Sequence, residues 1–284
     1  MLGDAHDVLA VACPLDRADV VAQEKLFGAQ PDGAPVTTFG AWEGDILVGV
    51  AAVAGSRIRV LGVIPWARKR GVGSALLAAC EQAARASGVT ALRTLDQPGN
   101  YLAPGIDIRN LTALAWLEKR GWIRSDELRE NLEIDVRDNP LVTEERARET
   151  ANACRDRGYV IRRAEARDAA LLAAVTTEFG GAWPFELARA MTANSVHVAL
   201  HAGAYCAFAA HDGNNQGLGW FGPAGTWPAH RGKGLGEALL LACLVDIADE
   251  HARCEVAWIG PRPFYDKVAG VAADRRFVLL TRAL

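Results

Sequence analysis

The alternation of apolar and polar positions follows the same order twice along the chain. In the first half, short polar turns separate three apolar stretches that predict an antiparallel meander: Val36 to Trp42, Ile46 to Ala54 and Ile58 to Ile64. A helix beginning at Gly71 places Leu76, Cys80 and Ala83 on one face, and Gly88 ends it. The pattern predicts a sheet with an amphipathic helix packed on it.

Further elements flank this meander in the first half. We predict a strand at Val8 to Ala12, a helix capped by Asp16 and running to Phe27, and a strand at Val89 to Leu95. After a loop with two prolines, a helix is predicted from about Asn110 to Lys119, and a strand from Leu132 to Val136 closes this half.

The second half repeats the order of elements. The predicted strands are Tyr159 to Arg163, Val196 to Leu200, Tyr205 to His211, Leu218 to Phe221 and Glu255 to Ile259, and the predicted helices are Asp168 to Phe179, about Gly234 to Glu250 and a short one around Tyr265. A helix from Trp183 to Asn194 has no counterpart in the first half.

One phrase is repeated with its residues intact. Pro65-x-x-Arg68-x-x-Gly71-x-Gly73-x-Ala75-Leu76-Leu77-x-Ala79-Cys80 recurs as Pro228-x-x-Arg231-x-x-Gly234-x-Gly236-x-Ala238-Leu239-Leu240-x-Ala242-Cys243, at a constant offset of 163. Such self-similarity at a domain-length period indicates a duplication. We therefore predict an α/β (α+β) chain of two domains, residues 1–137 and 158–284, joined by a charged linker helix at 138–157.

Composition excludes several classes of function. The formal net charge is -3 and basic residues are interleaved with acids, so no nucleic-acid surface is expected. The six cysteines form no CxxC pair and no metal-ligand spacing, which is typical of reduced thiols. Without a membrane span or signal pattern, we expect a cytoplasmic protein that binds no metal and is a monomer or homodimer.

The repeated glycines predict a phosphate site. Glycine lets the backbone approach a ligand and turn its amides towards it, and a helix that starts there adds its positive end. Arg68 and Arg231 supply forked donors for phosphate oxygens. A P-loop is excluded because neither copy has Gly-Lys followed by Ser or Thr, and the preceding antiparallel strands do not suit a Rossmann fingerprint.

Pro-x-x-Arg-x-x-Gly-x-Gly, after a meander and before an amphipathic helix, resembles the acetyl-CoA loop of the GNAT superfamily of N-acetyltransferases. The resemblance covers most of both halves and implies two tandem GNAT-like domains, each a mixed, largely antiparallel sheet flanked by helices. It implies acetyl-CoA as cofactor, a splay between the fourth and fifth strands, and these contacts: Leu61, Val63, Arg68, Arg70, Gly71, Val72, Gly73, Ser74, Asn110, Gly225, Thr226, Arg231, Gly232, Lys233, Gly234, Leu235, Gly236 and Glu237.

The two copies differ where this family places a catalytic tyrosine. The first has Asn110-x-x-Ala113-x-x-x-Leu117, which keeps the family's frame with a leucine, whereas the second has Tyr265 but lacks the asparagine frame. A phenol can protonate a departing thiolate and leucine cannot, so we predict Tyr265 as general acid. Glu255 is the second predicted catalytic residue, and the candidates for the base are Glu255, His211, Asp212, Glu178 and Glu186.

The resemblance also implies an acceptor pocket at the extra segment of the second half. Glu178, Trp183 and Phe185 there suit an amine with an apolar body, or else they form an ordinary helical core. The expected function is acetyl transfer from acetyl-CoA to a primary amine of a small molecule by direct attack in a ternary complex. The alternatives are a catalytic first domain using Asp96 or Tyr101, and an acyl-CoA-binding sensor without chemistry.

Overall fold

The chain folds into two compact units in the computed structural model, which describes residues 2–258 and 260–284. Unit 1 comprises the residues up to Glu130 together with Arg276–Leu284, and unit 2 comprises Asn131–Arg275. The chain thus returns to its first unit at its end. The predicted ranges, 1–137 and 158–284, assumed two contiguous domains and divide the chain differently.

The described residues of unit 1 form four helices and a mixed sheet. The helices are α1 (Leu2–Ala12), α2 (Ala22–Phe27), α3 (Val72–Ala86) and α4 (Leu111–Glu118), and the strands are β1 (Val36–Glu43), β2 (Ile46–Ala54), β3 (Arg57–Val63), β4 (Ala91–Thr94), β5 (Ile106–Asp107) and the first part of β6 (Ile123–Asp135). The order β1-β2-β3-β4 continues with the last strand of the chain, β12 (Ala273–Ala283), on which β5 also pairs. Residues 276–283 of β12 belong to this unit.

Unit 2 is built in the same way around its own sheet. The helices are α5 (Glu144–Arg155), α6 (Ala170–Glu178), α7 (Trp183–Thr192), α8 (Leu235–Glu250) and α9 (Arg262–Ala269), and the strands are β7 (Tyr159–Arg163), β8 (Val196–His201), β9 (Ala204–His211), β10 (Trp220–Thr226) and β11 (Arg253–Val256). The strand order is β6-β11-β10-β9-β8-β7, with residues 132–135 of β6 pairing on β11.

The predicted strand at Val8 to Ala12 is wrong, because these residues lie in helix α1. The buried positions there are Ala5, Val8 and Leu9, at the three- and four-residue spacing of a helix. A short apolar run does not by itself distinguish a strand from a buried helix. The helix predicted from Asp16 is also shorter than expected, since only Ala22–Phe27 is helical.

The predicted linker helix is part of a domain. Helix α5 begins at Glu144, where the Thr143 side chain accepts a hydrogen bond from the Arg146 amide. It packs against α8 and β7, and its buried Cys154 belongs to the core of unit 2. The charged residues that favoured a solvated linker occupy its outer face.

The core of unit 2 lies on both faces of its sheet. Helix α8 buries leucines and Cys243 against one face, together with Phe221 and Val256. Helices α6 and α7 cover the other face, where their Leu171 and Leu187 belong to one core with Phe208 of β9. No helix among the described residues has the length and apolar character needed to cross a membrane.

In each unit a parallel pair of strands separates after a few residues. In unit 1, β3 pairs with β4 at Arg57↔Arg93 and Ile58↔Thr94 only. In unit 2, among the described residues, β10 pairs with β11 at Trp220↔Glu255 and Phe221↔Val256 only. The two divergences occur at the same place in the repeat, since Ile58 and Phe221 are 163 residues apart. Each opens a slot that leads to the glycine loop.

Candidate active site

The two glycine loops have the same backbone conformation. Gly71 and Gly234 are the N-cap residues of α3 and α8, with φ angles of 91° and 82°, a left-handed region that favours glycine. No side chain among the described residues caps either helix. The first amides of both helices are therefore available for an anion, in the electrostatic field of the helix terminus.

The loop arginines hold the loops to the preceding strands. Arg68 Nε donates to the Val63 carbonyl at 2.9 Å, and Arg231 Nε donates to the Thr226 carbonyl at 3.2 Å. Both side chains are exposed, and Arg68 Nη2 also donates to the Ala12 carbonyl at 3.5 Å. Arg70 instead forms a two-fold hydrogen bond with Glu43 at 2.9 and 2.7 Å, which leaves it less suited to phosphate than predicted.

Two further arginines lie at the loops, and sequence analysis missed both. In unit 1, Arg120 donates to Ser74 Oγ at 2.8 Å, with its guanidinium carbon 4.2 Å from the Trp116 ring centre. In unit 2, Arg157 donates to the Lys233 carbonyl at 2.9 Å, and its Nη1 lies 3.4 Å from a Cβ built on Gly234. Their sequence positions carry no motif, because both come from helix ends that only the fold brings to the loop.

The remaining predicted contacts are placed as follows. Ser74 and Glu237 lie in the first turn of their helices, and the Glu237 carboxylate is 3.4 Å from Arg146. Leu235 is buried, so only its backbone can face a ligand. Asn110 caps α4 by accepting from the Ala113 amide at 3.2 Å, and this N-cap explains its place in the motif.

The side of helix α9 on which Tyr265 lies follows from the contacts of Gly73 and Gly236, the second glycine of each loop. A Cβ built on Gly73 would lie 3.4 Å from Trp116, and one built on Gly236 would lie 3.6 Å from Phe264. Trp116 and Phe264 thus occupy matching places against their loops. The next residues along each helix, Leu117 and Tyr265, therefore match as well, although the sequence spacing around them differs.

Tyr265 packs against the core of unit 2 but remains partly exposed. Its ring centre lies 5.1 Å from that of Phe264. Among the residues described, no hydrogen-bond partner of its hydroxyl is found. Burial, and to a smaller extent Cys254, raises the pKa of Tyr265 to about 12. The side chain is a phenol at neutral pH and has a proton to donate.

Glu255 faces away from α8, because its neighbours Cys254 and Val256 point into the core on the α8 side. Its carboxylate accepts from Asn131 at 2.6 Å and from Arg275 at 3.0 and 3.2 Å. A guanidinium at this distance favours the ionised carboxylate. The geometry suits a fixed negative charge better than a strong base.

The alternative bases lie elsewhere in unit 2. His211 Nδ1 is 2.8 Å from Asp212, and its Nε2 is 3.4 Å from Asp246 of α8. It lies at the end of β9 that pairs with Phe221, away from the loop end of β10. Glu178 is exposed and Glu186 is buried. None of these side chains contacts Tyr265 among the contacts that the structure describes.

An aromatic cluster covers strand β10 on the face opposite α8. Phe179 lies 5.1 Å from Trp183 and 5.0 Å from Trp227, ring centre to ring centre, and all three rings are half-buried. A Cβ on Gly225 would lie within 3.0 Å of Phe179 and Trp183, so this strand position leaves no room for a side chain. Phe185 lies apart, with Arg189 5.9 Å from its ring centre.

Trp258 lies next to the slot of unit 2, and sequence analysis missed it. It follows β11 with φ 46°, and Leu95, 163 residues earlier, follows β4 with φ 59°. Asn131 fixes this backbone by accepting from the Trp258 amide at 2.9 Å. Trp258 is 44% exposed. The constant offset of 163 between the two halves is the sequence signal that points to this position.

In unit 1 the corresponding side of the sheet is filled by the chain itself. Residues 96–107 are buried apart from Pro98. Within this segment Asn100 accepts from the buried Lys25 at 2.9 Å and donates to the Ala29 carbonyl at 2.8 Å. Arg59 on β3 donates to the Gly28 and Glu24 carbonyls at 2.8 and 3.0 Å. We call the three side chains of Lys25, Arg59 and Asn100 the polar plug. Their hydrogen bonds hold the buried segment against α2.

The two residues considered for catalysis in unit 1 lie in that buried segment. Asp96 accepts from Arg93 at 2.5 Å and from Arg129 at 3.0 Å, while Arg57 lies 3.6 Å away. Tyr101 is 6% exposed. In unit 2 the equivalent connection is short, residues 257–261; of its described residues, Ala257 is half-buried and Trp258, Gly260 and Pro261 are exposed. The slot is thus covered in unit 1 and accessible in unit 2.

A comparison with protein families matches residues 11–105 to the acetyltransferase (GNAT) family. The match covers about a third of the chain, all of it in unit 1. Members of this family transfer acetyl groups from acetyl-CoA. Curated proteins, in contrast, give no match to the sequence.

Solved structures resemble the whole chain at low sequence identity. A tandem GNAT protein from the clavulanic acid biosynthesis pathway is 20% identical, with a TM-score of 0.67, over 99% of this chain and 94% of the other. A GCN5-related N-acetyltransferase from Sphaerobacter thermophilus is 18% identical, with a TM-score of 0.63, over 100% and 93%. These likenesses show the tandem fold predicted from the repeated loop.

A larger fungal protein contains a similar region. The GCN5-related glucosamine N-acetyltransferase region of a fungal multi-domain β-N-acetylglucosaminidase is 17% identical, with a TM-score of 0.74, over 99% of this chain. The present chain spans 37% of that fungal chain. The likeness again concerns the fold.

Proposed function

Because the chain contains a GNAT-family domain and is built as a tandem GNAT fold, we propose that it transfers acetyl from acetyl-CoA to a primary amine of a small molecule. We place catalysis in unit 2. One observation carries this assignment: Tyr265 lies beside an accessible slot, whereas the matching Leu117 lies beside a slot that residues 96–107 cover.

The residues of both loops fit coenzyme A. A Cβ on Gly71 or Gly232 would meet nothing within 4 Å, so the backbone there is open to a ligand. The uncapped amides of α8 and the side chains of Arg231 and Arg157 would hold the pyrophosphate. Acetyl-CoA, when bound, supplies the activated acetyl group. The edge of β10 beyond Phe221 is unpaired on the β11 side and would hold the pantetheine arm.

Tyr265 is the proposed proton donor at the coenzyme's sulfur. Its raised pKa keeps it protonated through the neutral range, and the described residues leave its hydroxyl unbonded. General acids in such positions contribute about 10² to 10⁴ in rate. Leu117 offers no proton, which is the physical reason for assigning the reaction to unit 2.

Glu255 is proposed to attract and orient the acceptor. It lies on the sheet face away from α8, and its carboxylate is fixed by Arg275 and Asn131. An alkylammonium must lose its proton before attack. Because Arg275 favours the ionised carboxylate and so weakens it as a base, we assign Glu255 to holding the alkylammonium, and the amine proton passes to water.

The aromatic surroundings of the slot favour an amine on an apolar or ring-shaped body. Phe179, Trp183 and Trp227 line β10, and the exposed Trp258 stands next to the slot. Aromatic faces bind both cations and the apolar faces of sugar rings. An amine panel should therefore include aromatic amines and amino sugars, glucosamine among them because the fungal region is named for it.

The test is release of free thiol from acetyl-CoA in the presence of the amine panel. We expect turnover with at least one amine, and no thiol release with any member would overturn the proposal. If acetyl-CoA then bound without turnover, the protein would be a coenzyme-binding sensor.

Loop variants identify the catalytic unit. Gly234→Glu should abolish turnover and Gly71→Glu should preserve it; the reverse result would place catalysis in unit 1. Gly203→Glu and Gly88→Glu are matched controls, because these glycines also have positive φ (83° and 76°) but lie in other turns, and a Cβ there would meet nothing within 4 Å, as at Gly71. Both controls should retain turnover.

A further inference from the structure

Unit 1 contains a cavity that the proposed reaction does not use. Its volume is about 110 Å³, and it lies where β3 and β4 diverge. Residues of both strands line it, together with Leu77 of α3, Leu117 of α4, and Leu102 and Ile106 of the buried segment. The cavity therefore occupies the part of unit 1 that corresponds to the slot beside Tyr265 in unit 2.

Most of the lining is apolar, and the cavity is larger than an acetyl group requires. An apolar cavity of about 150 Å³ holds benzene, so one of about 110 Å³ holds a chain of about four carbons. Cys13 also lines it, but burial, together with Asp16, raises the pKa of this thiol to about 12. The thiol stays protonated and is no nucleophile at neutral pH.

One polar group in the lining has no partner. Trp122 is 3% exposed, and its indole N–H lacks a hydrogen-bond acceptor among the described residues. A buried donor left unpaired destabilises a fold by about 1–3 kcal/mol, so such groups usually serve a ligand or a water. An oxygen of a bound acyl group would satisfy this N–H.

The surroundings of the cavity disfavour transfer. Leu117 stands where unit 2 has Tyr265, and Lys25, Arg59 and Asn100 hold the segment that covers the acceptor side. The glycine loop beside the cavity is nevertheless intact, with the same uncapped helix start as in unit 2. Unit 1 thus has the features that bind the coenzyme but lacks those that transfer its acyl group.

We propose that unit 1 binds coenzyme A thioesters of short acyl chains longer than acetyl, about four carbons, and holds them without transferring the acyl group. The cavity takes the chain, and the Trp122 N–H donates to an acyl oxygen. The inference rests on the proposed function only in assigning coenzyme A to the loop of unit 1. Unit 1 then holds short-chain acyl-CoA while unit 2 acts on acetyl-CoA.

The test is calorimetric binding to the full chain carrying Gly234→Glu, which closes the loop of unit 2. Butyryl-CoA should bind about tenfold more tightly than acetyl-CoA, because two further methylenes enter an apolar cavity. Equal affinities, or a preference for acetyl-CoA, would overturn the proposal. Because the readout is binding to unit 1, its failure leaves the turnover test of unit 2 unaffected.

Cavity variants test whether the preference comes from this cavity. Leu117→Phe should remove the preference for butyryl-CoA, whereas Leu117→Ile, which keeps the volume, should retain it. Ala113→Leu also fills the cavity, from a partly exposed position of α4. It replaces Leu117→Phe in the test if that variant does not fold. A preference that survives both filling variants would place the acyl chain elsewhere.

The Trp122 N–H is tested with Trp122→Phe in the same Gly234→Glu chain. Loss of affinity for butyryl-CoA would assign the N–H to the thioester carbonyl. Loss only for 3-hydroxybutyryl-CoA would assign it to a chain oxygen. Unchanged affinity for both would remove Trp122 from the site, and release of free thiol by this chain would contradict binding without transfer.

Discussion

Units 1 and 2 share a glycine loop, a divergence of two parallel strands, and the orientation of α4 or α9 against the loop. Equivalent positions nevertheless have different neighbours in the two units. Gly62 of β3 lies against Leu9, Ala12 and Cys13, whereas Gly225, 163 residues later, lies against Phe179 and Trp183. Arg59 has its counterpart in Gly222, and Leu117 in Tyr265. The binding framework is the same in both units, but the face that would receive an acceptor differs.

The difference teaches that coenzyme binding and acetyl transfer depend on separate parts of the fold. The loop needs only glycines, a helix start and nearby positive charge. Transfer also needs a proton donor and an open acceptor side. Unit 1 has the first set, and its buried connection occupies the place of the second.

The largest expected effect tests the proton donor. Tyr265→Phe should lower kcat by about 10²-fold while the Kd for acetyl-CoA stays unchanged, because only the hydroxyl is lost. Steady-state kinetics and calorimetry check this, and an unchanged kcat would exclude the role. Leu117→Tyr in the Gly234→Glu chain should not create turnover, because the segment 96–107 still covers that slot.

Breaking the polar plug should destabilise unit 1 without affecting catalysis. Asn100→Ala removes one hydrogen bond of the buried Lys25 and that of the Ala29 carbonyl, and should lower the free energy of unfolding of unit 1 by about 2 kcal/mol. The protection of the backbone amides of residues 97–107 against hydrogen exchange measures this loss of stability. The exposed Asn152→Ala is the control, expected within about 0.5 kcal/mol of wild type. Equal protection in both variants would contradict the plug.

Trp258 tests how the accessible slot recognises the acceptor. Trp258→Ala should raise KM for the amine about fivefold, the loss of one partly exposed aromatic contact, with little change in kcat. Trp66→Ala provides the control, since Trp66 is also an exposed tryptophan, 55% exposed, but lies in unit 1. An unchanged KM in Trp258→Ala would remove this residue from the acceptor site.

The smallest effect concerns the pH dependence of unit 2. Burial lowers the pKa of His211, but hydrogen bonds with Asp212 and Asp246 outweigh it, and the net pKa is raised above 6.5. Burial raises the pKa of Asp246, yet His197, His211 and Arg163 lower it to a net value below 3.8. The contribution of His211 to the free energy of unfolding is complete below about pH 6.5 and is lost as the pH rises above that value. The contribution of Asp246 is complete above about pH 4 and is lost as the pH falls below that value.

Denaturant unfolding at pH 5.5 and 8.5 measures this effect. From pH 5.5 to pH 8.5, the free energy of unfolding of the wild type should fall by about 1 kcal/mol more than that of His211→Gln. Equal losses would show that the histidine contributes nothing to the pH dependence. Turnover at pH 8.5 should still depend on Tyr265, because its pKa of about 12 lies far above that pH.

Strong local patterns predicted much of the fold. The meander, the loop helices and the extra helix at Trp183 follow from periodicity, turns and glycines, and each is observed within a few residues. The strand predicted at Val8 failed because a short apolar run suits a buried helix equally well. The return of residues 276–284 to unit 1 has no local signal, since strand pairing between distant residues leaves none.

The sequence by itself determined the duplication, the two anion-binding loops and the contrast between Leu117 and Tyr265, because glycines, periodicity and a constant offset are properties of local order. Only the tertiary structure decided which slot is covered, that Arg157 and Arg120 reach the loops, and that Trp258 matches Leu95. These depend on side chains from distant segments meeting in space, and packing, not local propensity, determines such contacts.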